Sequence, residues 1–252
     1  MTLTDITTRL DELLAVGAFE DSSNNGLQVE AGAEVERVAF AVDACRAAFE
    51  AAARADCQLL CVHHGLSWGS NLKRLTGVAA QRIGLLFREG ISLYAAHLPL
   101  DAHPEYGHNA VIARRLGLDH IQPFGRYAGQ EIGFQGTLPQ PLPLADLVET
   151  VETALACSCQ VEGTTGEPSV RSLGIVSGGG GELVLEAAAA GLDAFLTGEI
   201  AHQHVHAIRE TGLPVIAAGH YKTEVPGLEA LERVVADEFG LDCHFIDLPT
   251  GR

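Results

Sequence analysis

The sequence predicts an α/β protein built as two three-layer lobes with mixed, largely parallel sheets. Apolar runs of strand length alternate with amphipathic helical stretches through both halves of the chain, the pattern of βα units. Several of those runs stop abruptly at glycine and histidine, as at Leu59-Leu60-Cys61-Val62-His63-His64-Gly65. The 252 residues are 47% hydrophobic and include 28 glycines, a globular composition with enough chain for two modest domains. The expected division is a first lobe over 1–126 and a second over 127–252, with about 214–252 returning to the first. Ligand sites in such sheets lie beyond the carboxyl ends of the strands, so a site is expected there, between the lobes.

Charge and cysteine usage narrow the function classes. The net charge is −17, and Lys73 and Lys222 are the only lysines. No basic block exists, which argues against a surface that tracks nucleic-acid phosphates. The six cysteines contain no CxxC pair, and several sit inside apolar runs, as buried thiols in a reducing compartment do. Cys157-Ser158-Cys159 offers two thiolates but has no second pair nearby. The amphipathic start is no signal peptide, and no apolar run reaches the roughly 18 residues of a membrane span. A cytoplasmic location without membrane contact is expected.

Taken in order, Thr4 is placed to cap a first helix with Ile6, Leu10, Leu13 and Leu14 on one face. Asp21 to Val29 is a run of turn formers containing Asn25-Gly26, either a plain surface loop or a polar loop bordering a site. Strands are expected over 35–42, 57–62 and 91–96, with helices over 44–54, 78–88 and 109–116. Trp68 lies in a polar loop, as a packing anchor or as a platform for a substrate. Glycine and proline cluster over 123–130, which reads as a structural break. Beyond it, strands are expected over 131–138, 159–162, 170–176, 193–197, 214–218 and 241–246. Helices are expected over 143–156, 183–190 and 226–239. The stretch Ser177-Gly178-Gly179-Gly180-Gly181-Glu182 is a tight turn or an anion cradle, although its spacing fits neither the Walker nor the dinucleotide pattern. His202, His204 and His206 fall on an expected helix, but Gln203 stands where a zinc-protease helix has glutamate.

Three strand ends gather the chemistry. One carries His63 and His64, where Gly65 lets the backbone turn and both rings enter one crevice. A second is followed by His97-Leu98-Pro99-Leu100-Asp101, and a third by His220 and, four residues on, Glu224. These are either solvated strand ends or one ligand set of three imidazoles and two carboxylates. A single structural zinc needs three or four ligands. Five, with two carboxylates able to bridge, suit two divalent transition metals roughly 3.5–4 Å apart. Mixed nitrogen and oxygen donors select zinc, iron or manganese over calcium or magnesium.

The motifs Ser22-Ser23-Asn24-Asn25-Gly26-Leu27-Gln28, His63-His64-Gly65-Leu66, His97-Leu98-Pro99-Leu100-Asp101, Gly107-His108-Asn109, Thr197-Gly198-Glu199 and Gly219-His220-Tyr221-Lys222-Thr223-Glu224 resemble, in matching order, those of the NIF-three-like family. Its bacterial members are often labelled GTP cyclohydrolase I type 2 homologues. The resemblance implies a dinuclear metal centre on His63, His64, Asp101, His220 and Glu224, and a toroidal homohexamer with the centres facing its interior. Tyr-Lys-Thr stands here where members often have His-Ala-Thr, so Lys222 either contacts an anionic substrate or points to solvent. The label implies hydrolytic opening of a guanine imidazole ring, with His97 outside the ligand set as a proton carrier. Other di-metal hydrolyses of a small molecule fit the same ligands. So does a non-catalytic ring serving as metal carrier or interaction scaffold.

Overall fold

Residues 1–164 and 166–251 are described by a computed structural model. The strands in chain order are β1 (Gly26–Val29), β2 (Arg37–Asp43), β3 (Leu59–His64), β4 (Ser92–Ala95), β5 (Asp119–Tyr127), β6 (Gln130–Pro143), β7 (Gln160–Glu162), β8 (Ser169–Val176), β9 (Ala194–Thr197), β10 (Val215–Ala217) and β11 (Asp242–Phe245). The helices are α1 (Leu3–Leu13), α2 (Arg46–Arg54), α3 (Gly77–Glu89), α4 (Leu98–Asp101), α5 (His108–Arg115), α6 (Leu144–Leu155), α7 (Val184–Ala189), α8 (Val205–Thr211), α9 (His220–Thr223) and α10 (Pro226–Phe239). The fold is α/β with two mixed sheets, as the alternation of apolar runs and amphipathic stretches predicts. Two compact units hold one sheet each. The first comprises Met1–Leu100 with Leu228–Leu248, and the second is built on Asp101–Gly227.

In the first unit the strand order is β1-β4-β3-β2-β11. Strands β4, β3, β2 and β11 are parallel neighbours, while β1 joins the edge antiparallel. β3 is central and its five residues before His64 are buried, as expected for a parallel strand covered on both faces. Its Leu60 and Val62 pack with Phe49, Ala48 and Ala52 of α2 and with Ile83 and Leu86 of α3. The hydroxyl of Thr2, rather than that of Thr4, accepts the Asp5 N–H and caps α1. The acid in the first turn also suits the helix dipole. β1 occupies the second half of the Asp21–Val29 run, which turn chemistry alone does not reveal. Its four residues gain their strand conformation by pairing with β4.

In the second unit the order is β5-β6-β8-β9-β10-β7. β8, β9 and β10 run parallel at its centre, and β5, β6 and β7 pair antiparallel. The expected break over 123–130 is instead a hairpin. β5 carries Pro123, tolerated because β5 is an edge strand, and turns at Ala128-Gly129 into β6. The core joins Leu173, Ile175, Leu196 and Ile216 of the sheet to Leu147 and Val151 of α6 and Ile112 of α5. The helix expected over 183–190 begins with a tight turn at Gly180–Leu183 before α7. His202–His204 form a tight 3-10 turn that runs directly into α8 at Val205, and His202 is exposed. Among the described residues no helix is long and apolar enough to cross a membrane.

Leu60 is fully buried between α2 and α3. Leu60→Ala should lower the unfolding free energy by about 2–5 kcal/mol, read from urea melts. A loss below about 1 kcal/mol would contradict the packing of the first sheet.

Candidate metal centre

Register places the side chains of the first unit. In the β2–β3 pair Asp43 stands opposite His64, and the Asp43 carboxylate accepts a hydrogen bond from His64 Nδ1 at 2.9 Å. In the β3–β4 pair Val62 stands opposite Ala95. The next carbonyl, Ala96 O, accepts from Nδ1 of the fully buried His63 at 3.0 Å. His97 follows β4, and its Nδ1 donates to both carboxylate oxygens of Asp21 at 3.0 Å. Carbonyls and carboxylates only accept, so each of the three rings carries a proton on Nδ1. The ring centroids lie 4.7 Å apart for His63–His64, 5.0 Å for His63–His97 and 5.7 Å for His64–His97. One nitrogen of each falls within 4.8 Å of the others.

The polar loop after α1 holds this cluster in place. The Asp21 side chain is nearly sealed from solvent. Burial by itself would raise its carboxyl, but hydrogen bonds from His97, Asn25 and the Ser23 N–H hold it well below the usual carboxylate range. Asn25 also accepts the His97 N–H at 2.8 Å. Gln28 Oε1 takes the N–H groups of Leu66 and Ser67 at 2.7 and 2.9 Å and so fixes the turn after His64. A side chain on Gly65 would collide with the Gln28 amide, which makes glycine there a matter of close approach. Trp68 donates its indole N–H to Gly65 O at 2.8 Å and sets its ring edge-on to His97 at 5.0 Å. It anchors the cluster by packing and hydrogen bonding.

Asp101, His220 and Glu224 belong to the second unit, where parallel strands bring three tips side by side. Val176 pairs with Thr197, and Thr197 with Ala217. The residues just beyond, Ser177-Gly178, Gly198-Glu199 and Gly219-His220, continue the ladder: Glu199 N–H donates to Gly178 O at 2.9 Å, and Gly219 N–H to Gly198 O at 2.8 Å. Ser177 Oγ donates to the buried Asp101 carboxylate at 2.7 Å. Asn109 accepts the Ser177 N–H at 2.7 Å and donates to the Asp101 and Ile132 carbonyls. His108 Nδ1 accepts the Gly227 N–H at 3.0 Å, so the neutral ring carries its proton on Nε2.

His220 opens α9 one helical turn before Glu224, which is 3% exposed. Nε2 lies 3.0 Å from Glu224 Oε1, and Nδ1 lies 3.3 Å from Glu199 Oε1. The hydrogen bond to Glu224, outweighing burial and joined by the Glu199 charge, draws the imidazole up to about 9. The protonated ring is therefore favoured beside Glu224. Gly178 has φ +60°, and a side chain there would run into Glu224 Oε1 and His220. The glycine turn is thus shaped by these two residues rather than by an anion.

The sequence-predicted residues are therefore placed as follows. His63, His64 and His97 cluster in the first unit, while Asp101, His220 and Glu224 surround the residue pair 177–178 in the second. Asp21, Asp43, Glu199, Ser177 and Asn109 were not singled out as site residues. For Asp21, Asp43 and Ser177 the signal is positional, a carboxylate or hydroxyl at or just past the end of a strand or inside a turn-forming run, whereas Glu199 and Asn109 lie in the quoted motifs.

The Duf34/NIF3 (NGG1p interacting factor 3) family profile matches residues 1–251. The chain belongs to the DUF34/NIF3 family. Relatives named GTP cyclohydrolase 1 type 2 homolog include one from Deinococcus radiodurans, 45% identical over 242 residues, covering 96% of this chain and 91% of that protein. Another, from Archaeoglobus fulgidus, is 41% identical and covers 99% of both chains. A crystal structure of a Thermus thermophilus protein superposes with a TM-score of 0.92 at 38% identity, covering 100% of both. The NIF3 resemblance read from the histidine motifs is thereby established for the whole fold.

The residues fit divalent transition metals. Three imidazoles are each held through Nδ1 by a carbonyl or carboxylate, the outer arrangement typical of metal-binding histidines, which directs a metal to Nε2. In the second unit the buried Asp101 and Glu224 carboxylates and the His220 ring offer mixed oxygen and nitrogen donors.

Because Gly178 sits at positive φ against Glu224, Gly178→Ala should cost about 1–3 kcal/mol of stability, read as a lowered denaturation midpoint. An unchanged midpoint would contradict the close approach.

Proposed function

We propose that this chain holds two divalent transition-metal ions on His63, His64, Asp101, His220 and Glu224 and acts as a metal-dependent hydrolase on a small molecule. The observation that carries the reading is the uniform fastening of the histidines through Nδ1. His63, His64 and His97 all spend that nitrogen on a carbonyl or carboxylate, which fixes the tautomer a metal requires. The names of the curated relatives support a hydrolytic reaction of the GTP cyclohydrolase kind. Phosphoester and cyclic-amide hydrolysis are the neighbouring chemistries.

Bound metals of this class supply an acidified water and Lewis-acid polarisation of the electrophile. The chain supplies the rest. Asp43 holds the His64 ring, and Ser177 orients Asp101. His97, with Nδ1 held by the ionised Asp21, accepts a proton at Nε2 and returns it to the leaving group. The Asp21 charge stabilises the imidazolium in between. The acidic surface favours a substrate whose own negative charge is small or is neutralised by the metals.

Elemental analysis of the purified protein should find about two transition metals per chain. Asp101→Ala should lose metal and turnover together on a panel of GTP, phosphoesters and cyclic amides. Two metals without turnover would replace the hydrolase by a metal carrier or scaffold ring. No metal after reconstitution would remove the dinuclear reading altogether.

Asp43→Ala should keep the fold and weaken metal binding by about 10–100-fold, measured by competition with a chromophoric chelator. Unchanged affinity would deny Asp43 its role behind His64.

A further inference from the structure

The second unit contains a pair of thiols that the metal chemistry does not use. Cys157 and Cys159 follow α6, with Sγ atoms 3.9 Å apart in hydrogen-bonding contact. Two backbone features set this up. Ala156 adopts the left-handed conformation at φ +48°, which turns the chain sharply at the helix end. The Cys157 N–H then donates to the Glu152 carbonyl at 3.1 Å, and the Cys159 N–H to the Glu152 carboxylate at 2.8 Å. Both ends of the three-residue segment are thereby tied to one glutamate. Both thiols are half-buried against the core of the second unit, and Ser158 between them is exposed.

We propose that Cys157 and Cys159 form a reversible redox site that closes to an intrachain disulfide. Residues two apart are separated by at most about 7 Å, near the upper end of the range that disulfides span. The sulfurs already lie 3.9 Å apart, against about 2 Å in a disulfide. A metal site is the weaker use of the pair, because no third His, Cys, Asp or Glu groups with them among the described residues.

The two thiols have distinct parts. The hydrogen bond from Cys159 draws the Cys157 thiol below its usual range, against burial and the Glu152 charge, and the Lys222 ammonium adds to the lowering. Cys159 is raised in turn by the same contact, which favours Cys157 as the attacking sulfur. Burial instead pushes Cys57 up to about 11 and Cys243 up to about 12. With a low-molecular-weight disulfide as oxidant, the Cys157 thiolate attacks one sulfur, the S–S bond breaks, and the first thiolate leaves and takes up a proton. Cys159 then loses its proton and attacks the Cys157 sulfur of the mixed disulfide. The second small thiol departs, leaving the Cys157–Cys159 bond. Two protein thiols are oxidised and one small disulfide is reduced to two thiols.

The test is oxidation of the full chain with oxidised glutathione, alkylation of the remaining thiols, and mass analysis of the tryptic peptide 127–171. Both thiols of that peptide should escape alkylation without retaining glutathione, and dithiothreitol should restore them. Cys159→Ser should trap one glutathione on Cys157. Cys157→Ser should slow adduct formation on the peptide at least tenfold. Continued alkylation of both thiols after oxidation by glutathione and by diamide would overturn the proposal. So would linkage between two chains in place of the intrachain bond.

Discussion

Parallel pairing in register is the constraint on which the rest of this structure depends. A parallel ladder aligns the carboxyl ends of neighbouring strands, so whatever follows each strand is delivered next to its neighbour. Asp43 meets His64 because β2 and β3 pair residue for residue up to that point. Ser177-Gly178, Gly198-Glu199 and Gly219-His220 lie side by side because β8, β9 and β10 end together. A slip of one residue in either sheet would turn these side chains to the opposite face and dissolve the clusters.

The second layer of control is the outer hydrogen bonding. An imidazole can bind a metal through either nitrogen, and an unrestrained ring would sample both tautomers. Ala96 O, Asp43 and Asp21 remove that freedom for His63, His64 and His97. Asp21 is itself held ionised in a nearly sealed position by His97, Asn25 and the Ser23 amide. The turn-forming run from Asp21 to Gln28 therefore serves as the clamp of the histidine cluster: Asp21 and Asn25 grip His97, and Gln28 grips the turn after His64. In the second unit the same logic appears with Glu199 behind His220 and Ser177 behind Asp101.

Glycine explains the remaining shape. Gly65 and Gly178 stand where a side chain would strike Gln28 and Glu224 respectively. Neither marks a phosphate loop. Each is small because a functional or supporting side chain needs the space.

The sequence by itself determined the α/β class, most of the strands and helices, the family, and the residues carrying imidazoles and carboxylates at strand ends. Those follow from local periodicity and from motif order, which need no knowledge of neighbours. Tertiary structure decided the rest. It made a hairpin of the 123–130 stretch, because Pro123 sits on an edge strand, where proline is tolerated. It made a strand of Gly26–Val29 by pairing with β4, and it wound His202–His204 into a tighter turn at the start of α8. It also selected which carboxylate stands behind which histidine. Those outcomes depend on partners distant in the chain: Asp21 and His97 are 76 residues apart, as are Asp101 and Ser177. No local pattern specifies such pairs, because their proximity exists only after the strands have found their register.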